Sequence, residues 1–543
     1  LDDKQDRKTL LSAPIDQISL KRQKMAGAVT ESVWWLYSLV LQELTLQAVC
    51  IYGTILLASW LASKLFIFPL LSPLRKIPGR PVSFSGVLLG QLPEILRKEA
   101  IDPYYEWVCE MKTGIIRYRH ALGSQRVVVA DADAIKDILV TNVEHYPRPI
   151  FLFSFFLRVV GRSLLTLEGQ EHKVQRRLCN SAFKLSSVVG LLPLFQKHSE
   201  ILCERWKAAI KSNTEGPTQV NVHASLSNLT FDIICETGFG YKSNSQQDPS
   251  EKTSSAFNYV LSGGGNRLLR IVVPALYRLM PTEDNRTFDS SLSLLHSLIH
   301  NIISKKKKSM EENAAEKLLG MDLLEMLLSA SDVESGAGLS EQQLQDHVMT
   351  FMLAGHETTA SSLAWILLCM ATHPDIQTKA REEVMSHLPR SGQPITNDDL
   401  EQLTYINCVV KEGLRLYPPA PIIMRQAAKD MMLCGYEIPK GTVVNISIGA
   451  LHRNPAYWDD PETFKPERFL DESSIPLYTY QPFISGPHMC IGYKFALQEL
   501  KMTLALLLRQ FEFSPLPDVT YRKKQTVTMR PFPPLQLYVR CVA

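Results

Sequence analysis

Hydrophobic and polar positions mix irregularly through most of this chain, but three stretches hold a pattern strong enough to predict an element. The first is apolar. From Leu44 to Ser63 no residue carries a charge, and after Lys64 the character resumes as Leu65-Phe-Ile-Phe-Pro-Leu-Leu71. About 20 apolar residues suffice to span a bilayer, so residues 44–71 are expected to form a transmembrane anchor. A buried core helix or an in-plane amphipathic segment is the alternative; a cleaved signal peptide fits less well, because the run is too long and starts too far in. Arg75, Lys76 and Arg80 follow the run whereas Glu31 and Glu43 precede it, which places the remaining chain on the cytosolic side. Residues 1–43 then form a polar segment with an interfacial stretch at Trp34, Trp35, Leu36 and Tyr37. The prolines of 72–81 make a stiff hinge, and 82–543 forms the globular domain.

The second stretch is helical. Ser340-Glu-Gln-Gln343 reads as a capping box, and the pattern runs on to about Thr372, where His373-Pro374 stops it. Inside lies Ala354-Gly355-His356-Glu357-Thr358-Thr359. A glycine in a helix interior costs about 1 kcal/mol against alanine, so local propensity does not explain the choice. Small side chains would let the helix pass close over a flat cofactor, and a hydroxyl beside a carboxylate can hold water and relay protons. Thr358 bonding back to a carbonyl one turn earlier is the plain alternative. His356 is expected to pack or face solvent, and Asp346 and His347 to lie on a solvated face. In the third stretch, Glu412-Gly-Leu-Arg415 sets a carboxylate and a guanidinium on one helix face among apolar neighbours, where buried ions need full pairing.

Composition narrows the class. The 543 residues are 45% hydrophobic and 21% charged with a net charge of +3, an ordinary globular balance with no nucleic-acid-binding motif. Ten cysteines are scattered without framework spacing, which suits a reducing compartment. The glycosylation-type triplets at Asn228, Asn285 and Asn445 are expected to be unused. Lys305 to Lys308 read as a solvated helix face, and Gly263-Gly264-Gly265 as a flexible loop.

Candidate chemistry centres on Phe483-Ile-Ser-Gly486-Pro-His488-Met-Cys490-Ile-Gly492. Gly486 and Gly492 permit backbone geometry that a Cβ would obstruct, so nearby amides can turn toward the Cys490 sulfur and stabilise negative charge. The helix expected from Phe495 onward adds its dipole in the same sense. Such a thiolate suits haem iron. Half of a zinc site, with His488, is the alternative; it would need about four ligands, usually in paired clusters, and no second cluster accompanies it.

Phe-x-x-Gly-x-x-x-Cys-x-Gly followed by Phe-Ala and Glu resembles the haem-binding signature of the cytochrome P450 family. Further segments continue the likeness in order: Ala354-Gly355-x-Glu357-Thr358-Thr359, Glu412-x-x-Arg415, Leu451-His-Arg-Asn-Pro455 and Pro466-Glu-Arg468-Phe. The resemblance runs from about Pro78 to Pro534 and is weakest between 241 and 339. It implies a mainly α fold with a smaller β-rich subdomain behind an N-terminal transmembrane helix. It implies haem b (iron protoporphyrin IX) with Cys490 as axial ligand, bordered by Phe483, Gly486, Gly492, Ala354 and Gly355. Glu357 and Thr358 become the acid and alcohol that deliver protons for O–O cleavage. Glu412, Arg415 and Arg468 become a structural lock. Arg176, Arg425, His172 and His488 fall where the family holds the haem carboxylates, although His172 replaces the usual tryptophan and His488 the usual arginine. Pro149 to Leu157 falls where the family places a substrate-contact loop.

The implied activity is a monooxygenase inserting one atom of O2 into an apolar, lipid-, terpenoid- or sterol-like substrate. No Gly-x-Gly-x-x-Gly fingerprint follows a strand, so electrons from NADPH are expected through a separate NADPH–cytochrome reductase, with cytochrome b5 as an optional helper. Lys173, Arg177 and Lys494 are candidates for the docking face. The expected location is the endoplasmic reticulum membrane, with the catalytic domain in the cytosol. A haem-thiolate isomerase acting on peroxides, or a non-catalytic haem sensor, is the alternative.

Overall fold

A computed structural model describes residues 13–82, 86–213, 216–248, 252–262, 280–312, 322–331, 336 and 338–542. The Gly263-Gly264-Gly265 run lies outside them. The chain divides into two units, residues 1–71 and 72–543.

In the first unit, one helix runs from Ala13 to Ala62 and continues through a π-turn at Ser63–Ile67 into Phe68–Leu71. Its Ser32–Leu71 portion is long and apolar enough to cross a membrane. Trp34, Trp35 and Tyr37 stand exposed on this same helix rather than on a separate stretch.

The second unit is mainly helical, with small sheets at its margins. Its axis is the central helix, Glu341–Thr372, opened by the Ser340–Gln343 capping box and closed at His373. Apolar residues surround almost the whole helix, so it is buried on nearly every side. The Val222–Phe239 helix crosses it at Gly355, where a Cβ would lie 2.9 Å from the Ile234 side chain. The glycine therefore admits a neighbouring helix, a close approach besides the cofactor contact expected from sequence. Asp346 and His347 are also not a solvated pair. The Asp346 carboxylate accepts from the Arg162 amide at 2.7 Å, and fully buried His347 donates to Gln175 at 2.8 Å.

Thr404–Leu416 is strongly amphipathic and buries its Glu412–Arg415 face. Tyr417-Pro418-Pro419 ends it, and the chain enters a four-stranded sheet ordered Ile115–Arg119, Gln125–Val129, Val443–Ser447, Ile422–Gln426. The central pairing is parallel and the flanking two antiparallel. A C-terminal hairpin, Arg522–Gln525 with Met529–Phe532, lies against the central helix. Two bonds pin it there: Trp365 donates to the Met529 carbonyl at 3.2 Å, and the Met529 amide to Pro419 at 2.9 Å.

Two expectations need correction. Residues 150–157 are not a loop but part of the helix Ile150–Val160, with Pro149 at its N-cap; the aromatic run buries Val159 and Val160 and packs Phe155 and Phe156 on the core. Within the lysine run, Lys306 is not solvated. It pairs with Asp322 and Glu325 at 2.5 and 3.0 Å. Asn285 and Asn445 are buried, which disfavours modification there.

Candidate active site

The cysteine loop is a tight turn set by one glycine. Gly486 has φ +78°, and a Cβ there would fall 2.0 Å from the Leu139 carbonyl oxygen, so no other residue fits without backbone movement. The Met489 amide donates to Gly486 O and the Cys490 amide to Phe483 O, both at 3.0 Å. Gly492 differs from expectation: its φ of −87° is ordinary, and the nearest protein atom to a Cβ would be 3.8 Å away. It serves as N-cap of the helix Tyr493–Gln510, which begins two residues earlier than the sequence suggests. Cys490 is exposed as a residue, yet its thiol is ringed by protein atoms. Enclosure pushes its thiol pKa up, while the Gly492 amide and nearby Arg176 oppose that rise by favouring the thiolate. Arg176 also donates to the Met489 carbonyl at 2.6 Å, bracing the loop.

Beside the loop lies a cluster of basic groups. His172 and His488 pack ring against ring, tilted 39° with centroids 4.1 Å apart. Both nitrogens of His488 are engaged: Nε2 lies 3.1 Å from the Glu168 carboxylate and Nδ1 3.0 Å from Arg148. Arg148 in turn pairs with Glu168 at 2.8 Å. Burial, with His488 and Arg148 adding their repulsion, drives His172 down to about 3, so it is neutral. Burial opposes ionisation of Glu168, but His488 and Arg148 win and hold it at about 2. Arg425, 2% exposed, carries an Nε without a protein partner, and burial beside Arg148 lowers it to about 9. Arg148 pairs with Glu168 and Arg425 lies within electrostatic reach of the same carboxylate, so two guanidinium groups share one anion. Sequence reasoning missed Arg148 and Glu168; an arginine held between Pro147 and Pro149 was the available signal.

Ala354 is exposed in the middle of the otherwise buried central helix. Thr358 donates its hydroxyl to the Ala354 carbonyl at 2.6 Å, the back-bond that was the plain alternative, which leaves its oxygen free to accept a hydrogen. Glu357 is 1% exposed, and its polar partners lie on a distant hairpin rather than on its own helix. Its Oε1 accepts from Thr528 at 3.1 Å and lies 3.7 Å from Arg530, while Oε2 has no protein partner. Burial pushes its pKa up, against the opposing effects of Arg530 and Thr528. His356 packs inward, bonded to Ser227 at 2.8 Å.

Arg415 forks onto Glu412 at 2.7 and 2.8 Å with both side chains fully buried. Arg468 reaches the same carboxylate at 3.1 Å. Arg415 also donates to the carbonyls of His452, Pro461 and Thr463. His452 bridges onward, donating from Nδ1 to the Arg415 carbonyl and accepting the Gln481 amide at Nε2. The ion-pair network is thereby tied to the base of the cysteine loop.

These residues fit a haem. The unpaired Arg425 Nε and the surplus of guanidinium groups suit a dianionic group, the enclosed Cys490 sulfur suits a soft metal, and Ala354 leaves the facing helix flat. A zinc site with His488 does not fit, because both of its ring nitrogens are already committed.

The cytochrome P450 family model matches residues 81–539. Cytochrome P450 monooxygenase sphH of Aspergillus fumigatus is 31% identical over 87% of this chain and 89% of its own length. Cytochrome P450 4A6 of Oryctolagus cuniculus is 31% identical over 85% and 89%, and cytochrome P450 4F12 of Homo sapiens 32% identical over 74% and 78%. The crystal structure of the cytochrome P450DA heme domain superposes with a TM-score of 0.74 at 26% identity, covering 86% of this chain and 98% of that one.

Proposed function

This chain belongs to the cytochrome P450 family, and on that premise we propose that it is a membrane-anchored, haem-thiolate monooxygenase in which the Cys490 thiolate would hold the haem iron. Arg148, Arg176 and Arg425 would hold the haem carboxylates, with His488 fixing Arg148 beside Glu168 and His172 packing on His488. The bound haem would supply the activation of O2 and the transfer of one oxygen atom to substrate. The protein's own contribution is binding, exclusion of water and proton handling. Arg176 and the Gly492 amide favour the thiolate form of Cys490. Ile422, Ile423 and Met424, all half-buried on their strand, offer apolar contact for a lipid-, terpenoid- or sterol-like substrate. Thr358 can accept a hydrogen from water while donating to Ala354, and the free Oε2 of Glu357 can carry the proton passed to that water.

Electrons would come from NADPH through a separate NADPH–cytochrome reductase, with cytochrome b5 as auxiliary donor. The charge-free run Leu44–Ser63 followed by Arg75, Lys76 and Arg80 supports an endoplasmic reticulum anchor with the catalytic unit in the cytosol.

The observation that carries this reading is the enclosed Cys490 on its Gly486 turn, beside a basic cluster with an unpaired Arg425. In the reduced, carbon monoxide-bound protein the Soret band should be strongly red-shifted, and Cys490→Ala should abolish that band. An unchanged spectrum in the variant would remove the assignment.

A further inference from the structure

The Glu357 carboxylate is held not by its own helix but by the far end of the chain. Thr528 stands just before the second strand of the C-terminal hairpin and Arg530 on it. Both meet the same oxygen, Oε1, at 3.1 and 3.7 Å, and leave Oε2 buried without a protein partner. The hairpin cannot drift from this position, because Trp365 of the central helix and Pro419 both bond to Met529, the residue between them. Thr528 is buried, whereas the Arg530 side chain is 26% exposed and so meets both the carboxylate and solvent.

We propose that Thr528 and Arg530 are positioning residues for oxygen activation: the C-terminal hairpin fixes one oxygen of Glu357, sets the charge of the carboxyl and turns the other oxygen to the proton path. A buried acid without that hold would be free to rotate, and its neutral form would be favoured more strongly. The charged group facing Glu357 is Arg530. His223 of the Val222–Phe239 helix is within electrostatic reach of Arg530, and burial, aided by Arg530, lowers it to about 4. His356, beyond His223, is likewise lowered by burial to about 3. Both imidazoles are therefore neutral near pH 7 and do not compete with Arg530 for the carboxylate. The proposal rests on the reading of Glu357 as the relay acid.

The test uses the full-length holoprotein. Infrared difference spectra across pH would follow the carboxylic C=O band that disappears in Glu357→Gln, which reads protonation without turnover. Arg530→Gln and Thr528→Val should both move that titration to higher pH, since each removes a group that favours the anion. Arg530→Lys should return it toward wild type. In turnover with any accepted substrate, Arg530→Gln and Thr528→Val should release severalfold more hydrogen peroxide per NADPH, with the carbon monoxide spectrum and KM unchanged. Thr528→Val is nearly isosteric and keeps the test alive if Arg530→Gln fails to fold. Wild-type titration and coupling in both hairpin variants, with Glu357→Gln uncoupled, would overturn the proposal and spare the relay. Wild-type coupling in Glu357→Gln would instead remove the relay reading, and the proposal with it.

Discussion

Replacing Arg415 by leucine should be among the most damaging single changes away from the cysteine loop. The guanidinium is fully buried and donates twice to Glu412, which is equally buried, and to three backbone carbonyls. Leucine would leave the Glu412 charge with Arg468 at 3.1 Å and the Lys465 amide at 2.9 Å as its remaining partners. Breaking a buried pair from one side costs about 3–5 kcal/mol. Against a typical total stability of about 5–15 kcal/mol, the variant should be marginal at best. Lysine should rescue little, because it lacks the fork that engages both carboxylate oxygens. Arg468→Ala should cost less, about 1–2 kcal/mol, since that side chain is partly solvated and makes one bond to Glu412. The damage should reach the cysteine loop through His452, which joins the Arg415 carbonyl to the Gln481 amide. Thermal unfolding and the carbon monoxide spectrum should therefore change together, with loss of the thiolate band on mild heating. A stability loss below about 1 kcal/mol for Arg415→Leu, or one equal to that of Arg468→Ala, would refute the view that burial makes this pair obligatory.

Other outcomes follow from the same geometry. Gly486→Ala should lose thiolate ligation, measured by the carbon monoxide spectrum, because the added methyl meets the Leu139 carbonyl at 2.0 Å where φ is already +78°; Gly492→Ala, with 3.8 Å of clearance from protein atoms, should be tolerated better by the same measure. Thr358→Ala should keep the fold and thiolate band but divert NADPH into hydrogen peroxide. Coupling equal to wild type would make Thr358 a helix-packing residue, as its bond to the Ala354 carbonyl allows. Removing residues 1–71 should weaken membrane attachment in carbonate extraction while preserving the carbon monoxide spectrum, and protease added from the cytosolic side should reach the catalytic unit of the full chain. Protection from it would reverse the orientation.

What the sequence could decide by itself was local or covalently ordered. A charge-free run is apolar whatever surrounds it, a Ser-x-x-Gln box caps a helix from within four residues, and the spacing around Cys490 follows from a turn whose key glycine is Gly486. The family was legible for the same reason, since its motifs are short and their order along the chain is fixed. Partners brought together across hundreds of residues were not legible. Thr528 and Arg530 meet Glu357 only because a hairpin is pinned by Trp365 and Pro419, and neither residue has a local pattern that says so. Arg148 and Glu168 became visible only when the fold set them against His488. Gly355 shows the limit most clearly: its helix-propensity cost marked a close approach, but which body approached, a neighbouring helix at Ile234, was decided by tertiary packing.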